Sequence, residues 1–147
     1  MATQTLKPRF APLSFWRKIM EGKDTLALDA SAWPAVDASR AAIERVLQSD
    51  RAVYGVNTGF GKLANTRVAN DGLRLLQRNL VLSHAAGVGE ALPDTIVRLV
   101  LALKISSLAR GHSGVRRVII ERLLDLVNNN VLPEIPAQGS VGASGDL

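Results

Sequence analysis

In the second half of the chain apolar residues return at helical spacing. Leu73, Leu76, Leu80 and Val81 share one side of a helix predicted over 71–86, which Gly87 ends. Val115, Ile119, Leu123 and Leu126 predict another over 115–129, with Arg117 placed to pair with Glu121 one turn on. Between them, 93–110 is apolar around most of its circumference, the pattern of a helix buried in a larger helical assembly. Earlier, Ala42, Ile43, Val46 and Leu47 form one face of a helix that Asp37 or Ser39 can cap. A short helix is predicted over 12–20, with Pro12 at its start. Strand patterns are brief. Leu26 and Leu28 alternate within 25–29, and 51–56 is strand-like before a turn at Gly59 and Gly61. The predicted fold is all-α with a few short strands, and the length fits a single domain over 1–147.

Composition narrows this picture. Aromatic residues are 4% against 47% hydrophobic, so the core is expected to be aliphatic. Without cysteine there are no disulfides or thiolate ligands, and His84 and His112 lack an acidic cluster, so no metal is expected. The net charge of +5 and a pI near 10.2 raise the question of nucleic acid. The basic residues are scattered, however, and the densest pairs, Arg17-Lys18 and Arg116-Arg117, have Glu21 and Glu121 nearby. No aromatic platform accompanies them, so no nucleic-acid partner is expected. The most apolar stretch, 96–108, contains Arg98 and Lys104 and is too short to span a bilayer. Residues 1–10 lack the apolar run of a secretory signal, so cytoplasmic residence is the expectation.

The chemistry concentrates at the C-terminal end, Gly139-Ser140-Val141-Gly142-Ala143-Ser144-Gly145-Asp146-Leu147. One reading is a flexible tail. A phosphate loop would need Gly-Lys-Ser/Thr and a following helix, and a nucleophilic serine elbow would need a glycine two residues after Ser144, where the chain has Asp146 and the glycine comes one residue too early at Gly145. Another reading is backbone cyclisation. The Gly145 nitrogen carries no side chain to block its approach to the Ala143 carbonyl, and glycine tolerates the tight turn required. Closure of the five-membered ring with loss of water gives an imidazolone. Loss of the Ser144 hydroxyl as a second water leaves a conjugated exocyclic methylene, an electrophile made without an external cofactor. A chain ending on such small residues with no closing helix reads as incomplete.

Two further segments stand in the same order, Tyr54-Gly55-Val56-Asn57-Thr58-Gly59-Phe60-Gly61 and Leu80-Val81-Leu82-Ser83-His84-Ala85-Ala86-Gly87. Together the three closely resemble the signature of the aromatic amino acid ammonia-lyases and aminomutases, and cover most of the chain from Arg51 onward. Those enzymes carry the methylidene-imidazolone group (MIO) described above. The resemblance implies the helical fold shared with fumarase and aspartase relatives. It makes 1–147 the N-terminal domain of a longer protein whose central helical bundle and C-terminal part are absent. It also implies a homotetramer with each active site built from more than one subunit, so that this chain alone is inactive.

By the same resemblance Ala143, Ser144 and Gly145 form the electrophile and Asp146 assists dehydration. Tyr54 is the general base, and Gly61 allows close approach of substrate. Ser83 and His84 line the pocket around the substrate ring. Taken singly, Tyr54 reads as a half-buried strand tyrosine, His84 as a hydrogen-bonded residue at a helix end, and His112 as a turn residue. Within the family, Ser83-His84 points to L-histidine, because a pocket imidazole can donate to or accept from the substrate's ring nitrogens. The implied reaction, a step of histidine degradation, gives trans-urocanate and ammonia. A phenylalanine or tyrosine ammonia-lyase or aminomutase of the same family, or a truncated, non-catalytic helical interaction domain, are the alternatives.

Overall fold

A computed structural model describes residues 2–8, 10–49, 51–59 and 61–139. Among them are five α-helices and four short strands: β1 Thr3–Leu6, α1 Leu13–Met20, β2 Thr25–Leu28, α2 Trp33–Leu47, α3 Leu73–His84, β3 Val88–Ala91, α4 Asp94–Leu108, α5 Arg117–Asn128 and β4 Pro136–Gln138. The predominantly helical class read from the sequence is the one observed. The chain divides into two compact units, one of Met1–Ala41 and Ala91–Ile135, the other of Ala42–Glu90 with the described residues from Pro136 onward.

The first unit holds an aliphatic core. α4 buries Val97, Leu101, Ala102, Ile105 and Leu108, one continuous stripe, against Ile19, Val36, Ile120 and Val127 from the other helices. Of its remaining apolar residues, Leu99 is half-buried and Ile96, Val100 and Leu103 are exposed in this chain. β1 and β2 pair in parallel, Thr3 opposite Thr25 through Leu6 opposite Leu28, and put Leu6 and Leu26 into the core. No contiguous apolar run marks β1 in the sequence. It forms because its period-two pattern ends on one buried leucine beside an existing strand. Asn128 then serves β2 as a surrogate strand. Its Oδ1 accepts from the Leu26 N–H at 2.8 Å and its Nδ2 donates to the Leu26 carbonyl at 2.9 Å.

α2 begins earlier than the sequence suggested. The cap is neither Asp37 nor Ser39 but Asp29, whose carboxylate accepts from the Ser31 N–H at 2.9 Å. It opens a single 3-10 turn, Ala30–Ala32, that runs directly into Trp33. Asp37 and Ser39 are used elsewhere. Ser39 accepts from the Gly114 N–H at 2.9 Å. Asp37 takes both arms of Arg117, with Nε at 2.7 Å from Oδ1 and a second short contact from Nη2 to Oδ2. Arg117 therefore bridges α5 to α2, stacked 5.0 Å from the Trp33 ring centroid, and Glu121 acts on it as a neighbouring charge.

The second unit starts with the last turns of α2. Asn70 donates to the Leu47 carbonyl at 3.2 Å, satisfying one of the orphan acceptors at the end of that helix. The strand expected over 51–56 is absent. Gly55 has φ +73°, and the Val56 and Asn57 N–H groups both donate to the Val53 carbonyl, which folds the segment into a turn. Short helical turns at Gly61–Leu63 and Asn70–Gly72 lead into α3. α3 ends as predicted near Gly87, where a β-carbon would stand 2.9 Å from the Pro136 ring. β3 and β4, which the sequence did not reveal, pair with each other.

Candidate functional site

Four of the sequence-predicted site residues, Tyr54, Gly61, Ser83 and His84, lie in the second unit. Ala143, Ser144, Gly145 and Asp146 lie outside the described residues.

Tyr54 opens the turn 54–56 and is 60% exposed, on a loop rather than in the strand that its sequence neighbours suggested. The turn is held from within. Asn57 is wholly buried, and its Oδ1 accepts from the Val53 N–H at 2.7 Å while its Nδ2 donates to the Arg51 carbonyl at 2.9 Å. Its own carbonyl accepts from the Val68 N–H at 2.7 Å, and next to it Thr58 pairs with Arg67 in an antiparallel bridge. Thr58 is also buried, and its hydroxyl donates to the Gly59 carbonyl at 3.0 Å. The loop is thus pinned at its base by two satisfied buried polar side chains, as polar groups removed from water require. The role of Asn57 is not legible in the sequence. An asparagine among glycines signals a turn, but burial is what turns it into a pin.

Gly61 begins the next helical turn with φ +59°, and a β-carbon there would meet nothing within 4 Å. Its need for glycine is therefore conformational.

Ser83 and His84 occupy the last turn of α3, the end that favours a histidine. His84 Nδ1 lies 2.8 Å from the Leu80 carbonyl and 3.0 Å from the Ser83 hydroxyl. The Ser83 hydroxyl is itself 3.2 Å from the Leu80 carbonyl and donates to it. A carbonyl only accepts, so Nδ1 carries the hydrogen, which is the tautomer whose other nitrogen, Nε2, has the acceptor lone pair. The helix end thereby fixes both the orientation and the tautomer of the imidazole.

Elsewhere, a cavity of about 1000 Å³ in the first unit is lined by Lys7, Phe10, Ser31, Arg110 and His112 among others, and by none of these site residues. The turn position expected for His112 is observed, between α4 and α5. No cluster of three metal-ligating side chains occurs among the described residues. None of the helices described is long and apolar enough to cross a membrane.

A helical fold, a glycine-bearing tyrosine loop and a serine-histidine helix end define a class. A family model described as aromatic amino acid lyase matches residues 13–147, and the chain belongs to that family. Within it, the chain is 56% identical over 147 residues to the histidine ammonia-lyase of Paracidovorax citrulli, covering 100% of this chain and 29% of that protein. Among solved structures, histidine ammonia-lyase from Trypanosoma cruzi is 34% identical with a TM-score of 0.86, matching 97% of this chain and 28% of its own. Tyrosine aminomutase from Streptomyces globisporus is 32% identical with a TM-score of 0.88, over 95% of this chain and 26% of its own. The chain thus spans less than a third of the length of these relatives.

Proposed function

We propose that this chain is the N-terminal portion of a cytoplasmic, homotetrameric histidine ammonia-lyase that converts L-histidine to trans-urocanate and ammonia. The observation that carries the substrate is the Ser83–His84 contact at the end of α3. With Nδ1–H held by the Leu80 carbonyl, the Nε2 of His84 is an acceptor for a ring N–H, which imidazole has and phenyl lacks. Leaving an imidazole hydrogen bond unmet in a closed pocket costs about 1–3 kcal/mol, enough to shift preference between substrates by one to two powers of ten.

Ala143, Ser144 and Gly145 supply what a methylidene-imidazolone requires: a carbonyl, a hydroxyl that can leave as water, and an unhindered amide nitrogen. The residues fit the group, with Asp146 beside them as the acid that assists dehydration. When formed, the electrophile supplies the covalent activation that lets ammonia depart. Tyr54 takes the β-proton at its phenolic oxygen, and its exposed place on a pinned turn suits a group that must meet substrate. Gly61 leaves room for the substrate beside that loop. In this reading the remaining substrate contacts come from the rest of the protein and from neighbouring subunits, and the 147-residue chain alone is inactive.

Incubation of the full-length protein separately with L-histidine, L-phenylalanine and L-tyrosine tests the reading. Equimolar ammonia and urocanate from histidine, with the highest kcat/KM of the three, is expected. Faster turnover of phenylalanine or tyrosine would move the protein to another branch of its family.

A further inference from the structure

We propose that Asn57 is a positioning residue for Tyr54, the buried amide that holds the tyrosine turn in its working shape; the proposal rests on the reading of Tyr54 as general base. The two residues are opposites in exposure, Asn57 fully buried and Tyr54 60% exposed, three positions apart on one turn. Asn57 grips the chain on both sides of its own position. Its side chain bonds backward to the Val53 N–H and the Arg51 carbonyl, and its carbonyl bonds forward to the Val68 N–H. The first two anchors precede Tyr54 and Asn57 follows it, so the amide closes a loop around the tyrosine.

Few side chains can do this. One bond needs an acceptor and the other a donor, on the same short planar group. Aspartate presents two acceptors and would set a carboxylate oxygen against the Arg51 carbonyl. Serine is too short to reach both partners and admits a water in place of the amide. Glutamine is one methylene too long for a site with no exposed surface. The side chain does not need to touch substrate, because the amide acts by fixing the backbone on which Tyr54 stands.

The test uses the full-length protein carrying Asn57→Ser, Asn57→Asp, Tyr54→Phe and each Asn57 change combined with Tyr54→Phe. For the single Asn57 variants kcat on L-histidine should fall about a hundredfold, the scale of an ångström-sized misplacement of a catalytic group. KM should move less than about threefold, as for an interaction made only in the transition state. The mass deficit of the electrophile should persist. In the Tyr54→Phe background the same Asn57 changes should lower kcat by less than about threefold, because a positioning residue has nothing left to position. Equal losses in both backgrounds, an unchanged kcat, or loss of the fold in both Asn57 variants overturns the proposal. If Tyr54→Phe alone retains full kcat, the reading of Tyr54 as base fails instead, and the positioning role falls with it.

Discussion

Gly111 follows the end of α4 with φ +74°, and a β-carbon there would stand 2.5 Å from the Ala35 carbonyl carbon. Both the backbone conformation and the contact demand glycine. Gly111→Ala is expected to cost at least about 2 kcal/mol, since strain and a backbone clash act together, and to lower the melting temperature by several degrees. An unchanged melting curve would show that the loop relaxes freely. At this scale the sequence was legible where chemistry is local. The Ser83-His84 pair stands at a helix end as its neighbours implied, and its tautomer follows from one carbonyl. Asn57 was not legible, because its partners are backbone groups whose burial depends on the fold of the whole turn. The same is true of Asn128, whose amide serves Leu26 from 102 residues away.

Helices with strong periodicity were readable to within two or three residues, as α3, α4 and α5 show. Structure departs from the sequence pattern where tertiary partners decide. The stretch 51–56 has strand-forming residues but bends at Gly55, and the Arg117 pairing expected within α5 goes to Asp37 on α2. That ion pair makes a test. The Arg117 guanidinium holds the Asp37 carboxyl below its ordinary range, chiefly by hydrogen bonding, and bonds to Gln4 and Ser31 do the same for Asp24 and Asp29. A carboxyl with a depressed pKa in the folded state stabilises it above the ordinary carboxylate range. That contribution is lost as pH falls through the range toward the folded value. Melting temperature should therefore drop as pH is lowered below about 4, and Asp37→Asn should flatten part of that drop. The effect is modest, because exposed pairs are screened by water. A variant with the same acid sensitivity as the parent would assign the loss to other carboxylates.

Across the whole molecule, apolar surface remains uncovered. Leu75, Val81 and Leu82 on α3 are 59%, 70% and 59% exposed, and α3 has no buried residue. Val88 and Leu103 add to this. Apolar patches of this kind drive association, so the 147-residue chain should form oligomers or larger particles in light scattering as concentration rises. A monomer at high concentration would contradict that expectation. The family and the helical class were legible in three short motifs, while the division into two compact units was not, since no linker composition marks it. Intact mass decides whether the protein makes its own electrophile from Ala143-Ser144-Gly145. The mature full-length protein should weigh about 36 Da less than its sequence, the two waters lost in ring closure and elimination, whereas Ser144→Ala, with no hydroxyl to eliminate, should lack that deficit and lose turnover by several powers of ten. A full-length enzyme of unaltered mass, or a Ser144→Ala variant of normal activity, would contradict the account.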